Sequence, residues 1–227
     1  MMKPWMILTA LAAASPAAAQ QSFGAPEGCE ALLTVQNKGC VMTNVWQCDA
    51  DDPGDRWIAL ITQAGVFSVQ KVDAEFQWLE AYKVTGNQRL MTPSQDPASL
   101  TELFANQIDT WDFTLETETG TERNVGYDLL TGETTEIDGE ILLNTEFQGR
   151  TIDGEGNVID ASDGRQFVSE KHRLFFFGEV WPQDDPSAVI DMSPVEFIYP
   201  GESGFFSDRP KFECNVIESR YRPRKRR

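Results

Sequence analysis

The chain carries a single histidine, His172, within Glu170-Lys171-His172-Arg173. A Ser–His–Asp or Cys–His mechanism would have to use it, with a nucleophile in reach. No G-x-S-x-G frames any serine, so a polar flank at the start of an apolar strand accounts for His172 more simply. Ser68-Val69-Gln70-Lys71 matches S-x-x-K in form only. That motif works on a helix, whereas residues three apart on a strand point to opposite faces.

Hard oxygen ligands would suit calcium, and two turns are rich in them. Asp49-Ala50-Asp51-Asp52-Pro53-Gly54-Asp55 has Asp at positions 1 and 3 and Gly at 6 of an EF-hand loop, but Pro53 stands at 5 and Leu60 at 12. Asp153-Gly154-Glu155-Gly156-Asn157, with Asp160 and Asp163 beyond it, lacks Gly at position 6. Both read first as hairpin turns, where Asp, Asn and Gly serve the backbone; a non-EF calcium site is the sharper alternative. Gly154-Glu155-Gly156 also opens a G-x-G, but Ile159 takes the third glycine position and no helix follows, which excludes dinucleotide binding. Glycoside hydrolysis needs two carboxyls facing each other at about 5 to 9.5 Å, a relation that spacing along a chain with 36 acids does not display. No catalytic residue and no cofactor are assigned.

Cys29, Cys40, Cys48 and Cys214 form an even set without a C-x-x-C, so two disulfides are expected rather than a zinc or redox site. Ala31 to Gln36 and Cys40 to Cys48 read as strands around the turn Asn37-Lys38-Gly39. The ends of a Cys40–Cys48 strand would lie about 26 Å apart, beyond disulfide reach. Folding the hairpin about Lys38 brings Cys29 opposite residue 47, next to Cys48. The expected bonds are therefore Cys29–Cys48 and Cys40–Cys214, the second tying a last strand to the first hairpin.

Oxidised cysteines require export, and the N-terminus supplies a signal for it. Lys3 precedes the apolar run Trp5 to Ala14, Pro16 breaks it, and Ala17-Ala18-Ala19 offers a small-x-small cleavage site. The run is too short to span ~30 Å of hydrocarbon, so residues 1–19 read as a cleaved secretory signal peptide of bacterial form and the periplasm as the destination. An integral membrane protein is not indicated. Residues 20–219 hold 12 cations against 36 acids, a net charge of −24, which repels phosphate backbones and argues against nucleic-acid binding. The basic segment 220–227, with Arg222, Arg224, Lys225, Arg226 and Arg227, reads as a disordered tail. Its functional reading is an electrostatic tether to an anionic envelope surface or an acidic partner.

The 227 residues, 41% hydrophobic and 11% aromatic, suffice for one large β-rich domain over 20–219. Short β-branched and aromatic runs follow one another: Trp57 to Ile61, Val66 to Val69, Phe76 to Val84, Trp111 to Thr117, Thr121 to Leu130 and Glu140 to Phe147. Gly149 to Ile152, Val158-Ile159, Gln166 to Ser169, Arg173 to Trp181, Val195 to Tyr199 and Phe212 to Ile217 complete them, with Gly120, Gly132 and Gly139 placed where hairpins would reverse. Pro182 to Pro194 reads as a long surface loop. Ser99-Leu100-Thr101-Glu102 is a capping box that predicts one helix, Ser99 to Asn106. The expected fold is an all-β antiparallel barrel or sandwich of about a dozen short strands with one short helix near an opening.

Aromatic residues concentrate in the last third: Phe175-Phe176-Phe177, Trp181, Phe197, Tyr199, Phe205 and Phe206. Consecutive phenylalanines on a strand face both sides, so both faces are covered or one is an open apolar patch. If the sheet encloses more space than its side chains fill, these residues line an apolar cavity. The leading functional expectation is an exported, non-catalytic binding protein or carrier for an apolar small molecule or lipid. An envelope-interaction protein using the acidic body and basic tail comes second, and a carboxylate-dependent hydrolase third.

Overall fold

A computed structural model describes residues 23–214; the expected signal peptide and basic tail lie outside the described residues. The chain is an antiparallel meander of β1 (Cys29–Asn37), β2 (Val41–Cys48), β3 (Arg56–Thr62), β4 (Gly65–Val72), β5 (Trp78–Lys83) and β6 (Gly86–Leu90). Helix α1 (Leu100–Asn106) precedes β7 (Ile108–Thr117), β8 (Gly120–Ile137), β9 (Glu140–Asp153), β10 (Val158–Ser169) and β11 (Leu174–Pro182). The short β12 (Ile190–Asp191) and β13 (Pro194–Ile198) end the series. The described strands form one sheet in the order β12-β11-β10-β9-β8-β7-β6-β5-β4-β3-β2-β1-β13. The all-β expectation holds. The sheet is not closed into a ring, but its two ends are consecutive in the chain. At their junction the Met192 N–H donates to Gly178 O at 2.9 Å and the Lys38 N–H to Ser193 O at 3.0 Å, so residues 190–198 serve both edges.

Several expected boundaries move for physical reasons. Gly132, at φ 80°, does not reverse the chain: it sits in a bulge between Leu130 and Thr134, and β8 runs on to the true turn at Asp138-Gly139. The separate runs 140–147 and 149–152 are one strand, as are 158–159 and 166–169, because glycines at 149 and 164 do not interrupt a ladder paired on both sides. Pro182 to Pro194 is not loop throughout, since β12 pairs with β11 inside it. Residues 211–214 form no strand, contrary to the strand expected from Phe212, while 215–217 lie outside the described residues.

Both disulfides join the expected partners, Cys29 to Cys48 and Cys40 to Cys214. The hairpin centres on Gly39 rather than Lys38, with Asn37 opposite Val41, which alone would set Cys29 opposite residue 49; a bulge between Ala31 and Leu33 brings it opposite Cys48 instead of the expected residue 47. Cys214 ends an irregular strap, residues 199–214, instead of a strand. The strap covers one face of β1 and β2, where Thr34, Gln36 and Asn44 are fully buried. The Phe206 N–H donates to Thr34 Oγ1 at 2.8 Å, Asn44 Nδ2 to Ser207 O at 2.8 Å, and Gln36 Nε2 to Arg209 O at 3.1 Å. Buried polar side chains thus satisfy an irregular backbone that has no ladder of its own. Two disulfides point to an oxidising, extracytoplasmic compartment. Among the described residues, no helix is long and apolar enough to cross a membrane.

Three apolar clusters hold the layers together. Leu33, Val35 and Val45 pack against Leu142, Leu174, Phe176 and Phe197, folding the two ends of the sheet onto each other. Met42, Trp46, Ala59 and Ile61 pack under Phe206 of the strap. Leu100 and Leu103 of α1 meet Val168, Phe76 and Phe175. Strand β11 therefore separates two environments, with Phe176 in the first cluster and Phe175 against the helix, as alternation along a strand requires.

Candidate functional site

The Ser99 side chain caps α1, accepting from the Glu102 N–H at 3.1 Å. Glu75 completes the cap in place of a reciprocal Glu102 bond: it accepts from the Thr101 N–H at 2.7 Å and from Arg173 at 2.7 Å. The helix is pinned at one end of a cavity of 380 Å³ that Ala98, just before the cap, helps to line. Its walls carry Phe76, Trp78, Trp111, Phe113, Phe147, Phe175 and Phe177.

Register explains why the rings gather there. Pairing sets Asp128 opposite Phe147 and Phe147 opposite Gly164; Gly126 opposite Gly149 and Gly149 opposite Ser162; Asn124 opposite Thr151 and Thr151 opposite Asp160. Alternate residues share a face, so these rows form one continuous surface. Its glycines are seats for rings. A Cβ at Gly126 would lie 2.5 Å from the Trp111 ring and 2.2 Å from Gln148 O, and one at Gly164 would lie 2.3 Å from the Phe147 ring. The indole and phenyl rings thus pack directly against bare backbone. Of the seven rings only Phe113 is buried; the other six are partly exposed. Trp78, Trp111, Phe147 and Phe177 belong to none of the three packed clusters.

At the cavity wall stands Asp128, 8% exposed. Its Oδ2 accepts from Trp111 Nε1 at 3.0 Å and its Oδ1 from Gln166 Nε2 at 2.7 Å. Directly opposite it on β7 is Asp109, also buried, with Oδ2 accepting from the Ser99 N–H at 2.9 Å and Oδ1 without a partner among the described residues. Burial pushes the Asp128 carboxyl up to about 7, and the Asp109 charge adds to this against the two side-chain hydrogen bonds. Burial likewise pushes Asp109 up to about 6, opposed by the Ser99 N–H and reinforced by Glu102, Asp96 and Glu75. Among the described residues, no cation forms an ion pair with either. Arg150 and Arg165 reach the cavity but turn to Gln183 and to Glu179 and Glu146.

The residues singled out from the sequence lie elsewhere. His172 does flank the apolar strand β11, in the turn just before it, and its Nε2 also sits 3.3 Å from Glu140 and 3.1 Å from the Tyr199 hydroxyl. Lys171 donates to Glu140 at 2.6 Å, and the Tyr199 hydroxyl donates to the same carboxylate. This cluster ties the segment after β13 to β9 and to the β10–β11 turn. Burial holds the imidazole below its usual range, with the Lys171 charge acting in the same direction and Glu140 opposing it. Lys71 of the S-x-x-K bonds to Asp51 at 2.8 Å and Asp55 at 2.9 Å, which engages the first acidic turn internally. In the second, Asp153 accepts from the Glu155 and Asn157 N–H groups. Among the described residues, no three His, Cys, Asp or Glu side chains are grouped to hold a metal. Phe175 and Phe177, two of the aromatics expected to line an apolar space, do line the cavity. Asp109, Trp111, Asp128 and Phe147 belong to no motif, although Asp109-x-Trp111-x-Phe113 and Asn124-x-Gly126-x-Asp128 alternate as one strand face does.

Comparisons with protein-family models, with curated proteins and with solved structures find no match.

Proposed function

We propose that this chain is an exported, periplasmic, non-catalytic binding protein that holds a small apolar molecule in the aromatic-walled cavity. The observation that carries this reading is the set of six partly exposed rings facing one space and, for four of them, lying outside every packed cluster. Full burial of a large apolar side chain is worth about 1.5–3 kcal/mol; these partly exposed rings forgo a share of it, which an apolar occupant recovers. At 380 Å³ the space is at the small end of ligand pockets, which favours a single compact molecule over a two-chain lipid. Asp128, Asn124 and Gln166 are among the polar groups of the lining and serve to orient an occupant, as convergent polar groups do in such pockets.

The test is to export the protein through its own signal, purify it without detergent, and extract it with solvent for mass spectrometry. A stoichiometric apolar molecule supports the reading and identifies the ligand class. A clean extract, together with no tryptophan fluorescence response to a panel of small apolar compounds, overturns it.

A further inference from the structure

We infer that the cavity is selective for an organic cation, an amine or quaternary ammonium on a compact apolar body, with Asp128 as the residue that confers this selectivity. This rests on the apolar-binding reading and deepens it. Three independent features converge. Aromatic rings line the space, and the negative faces of such rings attract a desolvated cation within about 6 Å. Among the described residues, the Asp128 carboxyl at the wall is accompanied only by the neutral donors Trp111 and Gln166, and its neighbour Asp109 is a second buried acid with an unpartnered oxygen. A buried carboxylate is ordinarily neutralised by a paired cation, and among the described residues none is present for these two. An occupant with a positive charge supplies the missing partner. Beyond the site, a formal net charge of −17 draws cations toward the protein and repels anions.

A neutral occupant would leave Asp128 to be balanced by a proton instead, so cation and proton compete for the same carboxyl. The groups facing Asp128 are Asp109 from β7 and Gln166 from β10, with Trp111 over it. Arg150, Asp160, Arg165 and Glu179 line the cavity farther along. Since Asp128 is held up to about 7, cation affinity weakens as pH falls through that value while affinity for a neutral molecule stays level.

The experiment uses the purified full mature chain with two isosteres, phenyltrimethylammonium and tert-butylbenzene, and follows tryptophan fluorescence and calorimetry. At pH 8.5 the cation is expected to bind at least tenfold more tightly, about 1.4 kcal/mol. Between pH 8.5 and pH 5.5 the cation should lose that advantage and the hydrocarbon should not change. Asp128→Asn should abolish the preference, cation and hydrocarbon then binding within about twofold of each other. Equal or tighter binding of tert-butylbenzene at pH 8.5 overturns the cation inference and leaves the apolar cavity standing. Binding of neither compound overturns both. A preference that survives in Asp128→Asn overturns the role of Asp128. Should that variant fail to fold, a preference of the unaltered chain that does not weaken between pH 8.5 and pH 5.5 overturns it equally.

Discussion

Replacing Gly126 with alanine adds one methyl group, yet it strikes two objects at once. The new Cβ would lie 2.2 Å from Gln148 O and 2.5 Å from the Trp111 ring. The carbonyl belongs to the β8–β9 ladder and cannot rotate away, so the strands must part locally. Overpacking of this kind costs about 1–3 kcal/mol. The displaced indole also leaves its 3.0 Å hydrogen bond to Asp128, and a buried polar group left unmatched costs about 1–3 kcal/mol more. The expected loss is about 2–6 kcal/mol, which for a domain of this size lowers Tm by about 5–20 °C. Gly149 provides the internal control. A Cβ there approaches only the same ring, at 3.1 Å, and meets no carbonyl within 4 Å. Gly149→Ala should therefore cost about 1 kcal/mol or less, a Tm change of under about 4 °C. Thermal unfolding by far-ultraviolet circular dichroism gives the ranking, and near-ultraviolet dichroism shows whether the Trp111 environment changes. Equal losses in the two variants, or a Gly126→Ala protein within about 2 °C of the parent, would refute the account of the glycines as ring seats.

Three further outcomes are expected. Because the Asp128 carboxyl is raised from 3.8 to about 7 on folding, the folded state binds the proton more tightly, and stability falls as pH rises from about 4 to 7. Asp128→Asn should flatten that dependence and raise stability at pH 8 by about 1–3 kcal/mol, with little change at pH 4; denaturant titrations at the two pH values check it. Removing Cys40–Cys214 as a serine pair releases a closure of 174 residues, worth about 5 kcal/mol by chain entropy, against about 3 kcal/mol for the 19 residues of Cys29–Cys48. The first variant should be the less stable, and limited proteolysis should cut within 199–214 before the rest of the domain. Burial raises the Glu140 carboxyl, but bonds from Lys171 and Tyr199 and the His172 charge hold it below the usual range. Glu140→Gln should thus cost about 1–3 kcal/mol at pH 7, and parent and variant should converge at acid pH, as urea midpoints would show.

How much of the molecule is readable from the chain differs element by element. The first hairpin and both cysteine pairings are legible from strand length and turn type, although the turn falls at Lys38-Gly39-Cys40, one residue later than the expected Asn37-Lys38-Gly39. The helix follows from Ser99 and Glu102, although the partner that completes its cap, Glu75, lies 24 residues upstream. Gly132 misleads because a left-handed glycine serves a bulge as well as a turn, and only the partner strand decides between them. The irregular strap around Phe212 carries strand-like residues, but its hydrogen bonds go to side chains of β1 and β2 rather than to a ladder. The cavity follows a similar pattern. Phe175 and Phe177 are legible as surface in search of a cover. Asp109 and Asp128 are two among 36 acids, and their pairing exists only through the β7–β8 register.

The amino-acid order by itself determined what depends on near neighbours: an all-β antiparallel chain, one capped helix, an oxidised cysteine frame and an acidic body. These follow from side-chain period, turn chemistry and charge, all of which act over a few residues. Tertiary structure alone decided which faces meet. It joined the sheet ends through residues 190–198, seated Trp111 and Phe147 on glycines of neighbouring strands, and set two carboxyls side by side with no ion-paired cation among the described residues. Each of those outcomes depends on strand register, where a shift of one residue turns every side chain to the opposite face.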